Sequence, residues 1–137
     1  MIEGNYKIRI RYADTDQMGY VYYGRYANFY EIARVELFRK LGFSYKDLED
    51  QGVGMPVIEM NSKFLLPVRY DEEVLIVTRI KDIPKSKITF TYKLFNSEGL
   101  IVNEAKTVLT FIDLKRKKPV RIPSELMTII KKKFNDR

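Results

Sequence analysis

The sequence predicts an α+β domain in which one long helix lies against a largely antiparallel sheet, and three observations carry that expectation. Between Tyr23 and Leu41, apolar residues recur at spacings of three or four, at Tyr26, Phe29, Tyr30, Ala33, Leu37 and Leu41. A helix of about five turns with one buried face follows. Most of the chain after that helix is rich in Val, Ile, Thr, Phe and Tyr, the residues that suit a pleated, half-buried surface. Short turns, Pro84 to Ser86 and Asn96 to Gly99, join the later segments of this kind and make neighbouring strands antiparallel. A helix as filling, wrapped by a curved sheet, satisfies all three.

The elements follow in order. Tyr6 to Tyr12 reads Y-K-I-R-I-R-Y, the two-residue alternation of a half-buried first strand. Ala13 to Tyr22 has neither period and is a loop into the long helix, which Gly42 stops. Glu31, Arg34, Glu36, Arg39 and Lys40 fall mostly off the apolar stripe, and Arg34 three residues after Glu31 predicts an ion-paired surface or interface group. Ser44 with Asp47 resembles a capping box and starts a short helix over Tyr45 to Gln51. Strands are predicted over Met55 to Leu66, Glu73 to Lys81, Lys87 to Asn96 and Leu100 to Ile112. A last helix starts near Pro123 or Ser124 and runs through Leu126, Met127, Ile129 and Ile130. No linker, repeat or low-complexity tract divides residues 1–137, so one domain is expected, the C-terminal segment 113–137 included.

Composition narrows the chemistry. The chain has no cysteine and no histidine, which removes disulfides, thiolate zinc sites, cysteine nucleophiles and every histidine acid, base or ligand. Carboxylates, hydroxyls, lysine and backbone dipoles are left, with no cofactor and no metal expected. The start of the chain has scattered charges and no apolar stretch of signal-peptide length, and no later run approaches a membrane span, so a cytoplasmic location is expected. Of the net charge of +7, nearly all resides in the C-terminal segment, where Asp113 to Arg137 holds nine Lys/Arg against three Asp/Glu. Its densest run, Lys115 to Lys118, has no interleaved aromatics for stacking on bases, so no nucleic-acid partner is expected. A solvated loop and an anion-binding loop both fit it.

The segment richest in chemistry is R-Y-A-D-T-D-Q-M-G-Y-V-Y-Y-G-R-Y, Arg11 to Tyr26. It puts two carboxylates, Asp14 and Asp16, between a strand and a helix. Gly19 permits a tight turn, by which Asp16 can fold back toward the unpaired N–H groups of the first helical turn. Those groups suit a developing negative charge. On residue types alone, both Asp side chains can equally be loop formers that bond locally and cap the helix.

The pattern Asp-x-Asp-x-x-Gly, then an aromatic-rich stretch, then F-Y-E-I-A-R, resembles the 4-hydroxybenzoyl-CoA thioesterase branch of the hot-dog superfamily. The resemblance continues in M-P-V-I-E-M-N-S-K-F-L-L-P-V-R-Y-D-E-E-V, Met55 to Val74. It implies the hot-dog fold, a homodimer or homotetramer, and hydrolysis of an acyl-CoA or acyl-carrier thioester. It also implies Asp16 as the catalytic carboxylate and the Tyr23 backbone N–H as the group that polarises the thioester carbonyl. Many relatives carry histidine where this chain has Tyr23, so the resemblance carries over the backbone role and not a side-chain one. Thioester hydrolysis tolerates the lack of histidine, because a thiol with a pKa of roughly 8.5 leaves without a general acid.

Gly19, Tyr22 and Met55 are further candidates for the substrate site, with Met18 and Tyr20 as possible acyl-pocket walls. Arg69, Lys85 and Lys87 are candidate cations for CoA phosphates, and each can equally be core or surface. The competing reading is an acyl-CoA-binding hot-dog module without turnover, against which the retained Asp16 speaks.

Overall fold

The computed structural model describes residues 1–135. Its elements are β1 (Ile2–Arg9), a 3-10 turn (Tyr12–Asp14), a second one (Tyr23–Arg25), α1 (Tyr26–Lys40), α2 (Tyr45–Asp50), β2 (Val53–Gly54), β3 (Val57–Phe64), β4 (Glu73–Ile80), β5 (Lys87–Phe95), β6 (Ile101–Thr110), β7 (Ile112–Asp113), β8 (Lys118–Pro119) and α3 (Ser124–Asn135). Five strands form one antiparallel sheet in the order β1-β4-β5-β6-β3. Alternate residues of β4 and β5, among them Ile76, Ile80, Phe90 and Leu94, are buried, as a sheet covered on one face requires. The cover is α1, which buries Phe29, Tyr30, Ala33, Leu37 and Phe38. This is the α+β hot-dog arrangement that the sequence predicts.

Several boundaries differ from expectation. The first strand starts at Ile2, because Gly4 lets β1 cross α1 closely: a Cβ there would lie 2.7 Å from Leu37 Cδ1. The long helix is a 3-10 turn at Tyr23 that passes into α-helix at Tyr26. Helical geometry can tighten in this way where the first N–H groups lack partners. The strand expected over Leu100 to Ile112 divides into β6 and β7, and β7 pairs with β2 and β8 in a second sheet. The basic run Lys115 to Lys118 is therefore the tip of a hairpin, with Lys118 in β8. The Ser44 capping box forms as predicted, with Ser44 Oγ accepting from Asp47 N–H at 3.1 Å and Asp47 Oδ2 from Ser44 N–H at 3.0 Å.

Arg34 is the largest departure. It is 6% exposed, and its Nε and Nη1 donate to the phenols of Tyr45 and Tyr92 at 3.2 and 3.1 Å. No ion pair with Glu31 forms among the described residues. A long side chain on the flank of an apolar stripe reaches inward when buried phenols accept from it, and spacing alone does not reveal them.

Candidate active site

Residues 15–21 close on themselves and are strapped to the loop between β3 and β4. Gly19, at φ +80, donates its N–H to Asp16 O at 3.0 Å, and Asp16 N–H donates to Tyr20 O at 2.8 Å. Val21 N–H donates to Val68 O at 2.8 Å, and Tyr20 bridges to Arg69. The Arg69 guanidinium lies over the Tyr20 ring, 5.0 Å from its centroid. The loop is thereby fixed at the end of the sheet where α1 begins.

The two aspartates take different roles. Asp14 is 4% exposed; its Oδ2 accepts from Arg11 N–H at 2.8 Å, and its Oδ1 accepts from Arg25 Nε and is ion-paired with Arg25 Nη2, both at 2.9 Å. Its carbonyl oxygen takes Tyr22 N–H at 2.9 Å. Asp14 thus holds the entry to the helix. Asp16 is half-buried. Its Oδ1 accepts from Met18 N–H at 2.9 Å and Tyr20 N–H at 3.3 Å, while Oδ2 has no hydrogen bond among the described residues. These bonds fix the carboxylate's direction and leave one oxygen for chemistry.

Asp16 lies in a cleft of about 310 Å³ together with Met18, Tyr20, Tyr23, Tyr26 and Phe64. Neither Tyr23 nor Gly24 N–H has a backbone partner among the described residues, as expected at a helical N-terminus. The Tyr26 phenol in the cleft wall is pushed up to about 12, by burial and then by the Glu72 charge. It is a neutral hydroxyl at ordinary pH. Tyr22 does not line this cleft, but its ring packs on that of Tyr23 with centroids 4.6 Å apart, and the Tyr23 phenol beside it raises its pKa. A larger groove of about 820 Å³ between β1 and α1 contains Asp14 and Arg25 but neither Asp16 nor Tyr23. It holds the aspartate whose oxygens are already bonded.

Three candidates, Met55, Lys85 and Lys87, lie far from this cleft within one chain. Met55 packs against the core before β3, and Lys85 and Lys87 sit at the β4–β5 turn. The register places that turn, with Ile80 and Val57, at the opposite end of the sheet from Arg9 and Phe64. The site residues missed in the sequence are Tyr26, Phe64, Leu65, Leu66 and Pro67. The available signal was F-L-L-P, three large apolar residues that run into a turn, about half exposed in the structure. Arg25, the partner of Asp14, had no sequence signal.

An antiparallel sheet wrapped on one long helix, with Asp16 and Tyr23 lining one cleft at the start of the helical segment, is the arrangement the comparisons bear on. The profile of the thioesterase-like superfamily matches residues 10–130. The acyl-CoA thioester hydrolase YbgC of Escherichia coli is 32% identical over 90% of this chain and 92% of its own. A chloroplastic acyl-acyl carrier protein thioesterase of Arabidopsis thaliana is 30% identical over 88% of this chain and 63% of its own. The DHNA-CoA thioesterase structure from Staphylococcus aureus superposes with a TM-score of 0.93 and 33% identity, covering 98% of this chain and 92% of that one. The chain belongs to the thioesterase-like superfamily, as an acyl-CoA thioesterase of the hot-dog fold.

Proposed function

We propose that Asp16 and the Tyr23 backbone N–H carry out the hydrolysis of an acyl-CoA or acyl-carrier thioester. The observation that carries this reading is their presence in one cleft, the carboxylate with one oxygen unbonded and the N–H without a partner. The thioester carbonyl oxygen accepts from Tyr23 N–H, and negative charge that develops on it is met by the positive end of the helical turn. Asp16 either takes the proton of an attacking water or attacks the carbonyl carbon itself, forming a mixed anhydride that water hydrolyses after the thiolate has left. On both routes the thiol leaves as thiolate. The phenol of Tyr23 has no part in this scheme.

The working form is a homodimer, with the site near the subunit interface. β3 is an edge of the sheet, and its apolar residues Val57, Ile58, Met60 and Phe64 are about half exposed. Met60 and Phe64 stand opposite the buried Thr107 and Asn103, so they face the helix side of the sheet; Phe64 meets α1 only at Tyr26, ring centroids 5.1 Å apart, and both stay about half exposed. Such an edge calls for a partner. Two-fold pairing of β3 with its copy is antiparallel, which sets the Val57 end of one subunit beside the Phe64 end of the other. Met55, Lys85 and Lys87 of one subunit then lie on the side of the other's cleft, where the cations can meet CoA phosphates. The cleft of about 310 Å³ in one chain, at the small end of the roughly 300–1,000 Å³ of ligand sites, is enlarged in the same way.

A panel of acyl-CoAs and one acyl carrier protein thioester, short, long and aromatic, with detection of free thiol, tests the reading. Enzymatic release from at least one member is expected. Release from none, by folded dimer, refutes it.

A further inference from the structure

The end of the molecule opposite the Asp16 cleft carries a concentration of unpaired positive charge with two apolar tips. The β7–β8 hairpin presents Lys115 to Lys118, all exposed, directly after Leu114, whose side chain lies over Gly54 and is still 42% exposed. The β4–β5 turn presents Ile83, 43% exposed, between Lys81 and Lys85. The two turns share a stem: Phe111 N–H donates to Ser86 O at 3.1 Å, and Ile122 N–H donates to Lys85 O at 2.7 Å. From that stem the chain continues into α3, whose Lys131, Lys132 and Lys133 are exposed. Among the described residues, the salt bridges use only Lys7, Arg9, Arg25, Arg39, Arg79 and Lys106 as cations. None belongs to this end's turns or to α3.

The nearby carboxylates do not neutralise it. Asp113 Oδ1 accepts from Lys115 and Arg116 N–H at 2.9 and 2.8 Å, and Asp113 O accepts from Lys117 N–H at 2.7 Å. This carboxylate is spent on shaping the turn, with Lys117 at φ 57, while the cationic side chains stay outside. Glu125 accepts from Gln51 Nε2 at 3.2 Å. Asp82 is the remaining acid of the two turns.

We propose that this end docks on an anionic lipid surface, with Leu114 and Ile83 entering the boundary between headgroups and acyl chains and Lys115, Arg116, Lys117 and Lys118 meeting lipid phosphates, while Lys85 and Lys87 stay with the CoA site proposed above. Cations spread over convex turn tips, with aliphatic side chains at the tips, match the polybasic mode of peripheral attachment. Single-stranded nucleic acid would call for aromatic side chains among the cations, and Leu114 to Lys118 has none. Among the described residues no helix is long and apolar enough to cross a membrane, so attachment is reversible and depends on salt.

The test is co-sedimentation of the full chain with vesicles of phosphatidylcholine alone and of phosphatidylcholine with phosphatidylglycerol. Binding to the anionic vesicles only, abolished by raised salt, is expected. Replacing Lys115, Arg116, Lys117 and Lys118 together by Gln lowers the partition coefficient by about a hundredfold or more, and L114S lowers it at unchanged charge. Far-ultraviolet circular dichroism and Tm confirm that both variants fold. Equal binding to neutral vesicles, full binding by the folded four-Gln variant, or binding to single-stranded DNA but to neither vesicle overturns the proposal.

Discussion

Replacing Asp14 by Asn removes a negative charge from a carboxylate that is 4% exposed, accepts hydrogen bonds from Arg11 N–H and Arg25 Nε, and is ion-paired with Arg25 Nη2. The Asn side chain keeps the shape but presents an amide N–H where an acceptor was, to Arg25 or to Arg11 N–H. Breaking a buried ion pair from one side costs about 3–5 kcal/mol. The Arg25 side chain is 41% exposed and regains water, which brings the expected cost to about 2 kcal/mol. With unfolding entropy of about 2.1 cal/mol/K per residue, 137 residues convert this into a fall in Tm of about 7 °C. Thermal unfolding followed by circular dichroism measures it. Turnover should suffer less than in D16N, because Asp14 contacts no reacting atom in the scheme above. A Tm within about 2 °C of the parent would refute the assignment of Asp14 as the anchor of the helix entry.

Three further outcomes follow from the same structure. Tyr23→Phe keeps the backbone donor and deletes only the hydroxyl, so turnover should stay within about threefold, whereas a lost oxyanion donor costs on the order of a hundredfold; a large loss at unchanged affinity would give the phenol a chemical role. Burial first of all raises the phenols of Tyr26, Tyr30 and Tyr92 to about 12, against about 10 in the unfolded chain. Their raised values contribute stability below about pH 10 that is lost as pH rises toward 12, so Tm should fall in that window; phenols that all titrate near 10 with native circular dichroism retained would contradict it. Met60→Lys with Ile58→Lys places charge on the β3 edge and should turn a dimer into a monomer by light scattering; a parent chain already monomeric at micromolar concentration would rule out the dimer.

The fold was legible where periodicity is strong. Tyr26, Phe29, Tyr30, Ala33 and Leu37 are the buried face of α1, and the strands after them pair as their composition and turns require. Arg34 was misplaced because its partners, Tyr45 and Tyr92, are 11 and 58 residues away. The β2-β7-β8 sheet was missed because two-residue strands have no period to read. At the candidate site, the position of Asp16 at a loop beside a helical N-terminus was legible from the motif. The resemblance set Asp16 apart from Asp14, but Asp14's partner was not legible, since Arg25 Nε and Nη2 reach it from the far side of the loop. Nor was the separation of Met55, Lys85 and Lys87 from Asp16, which the sheet register alone determines.

The assignment of Asp16 is tested most directly by D16N, assayed for thiol release on the best acyl-CoA of the panel. The side chain keeps its shape, and its amide oxygen can still accept from Met18 and Tyr20 N–H, so the loop, the Tm and the dimer should be unchanged. Turnover should fall by about a hundredfold or more, the scale of a lost general base. Full turnover by a folded D16N dimer would contradict the account.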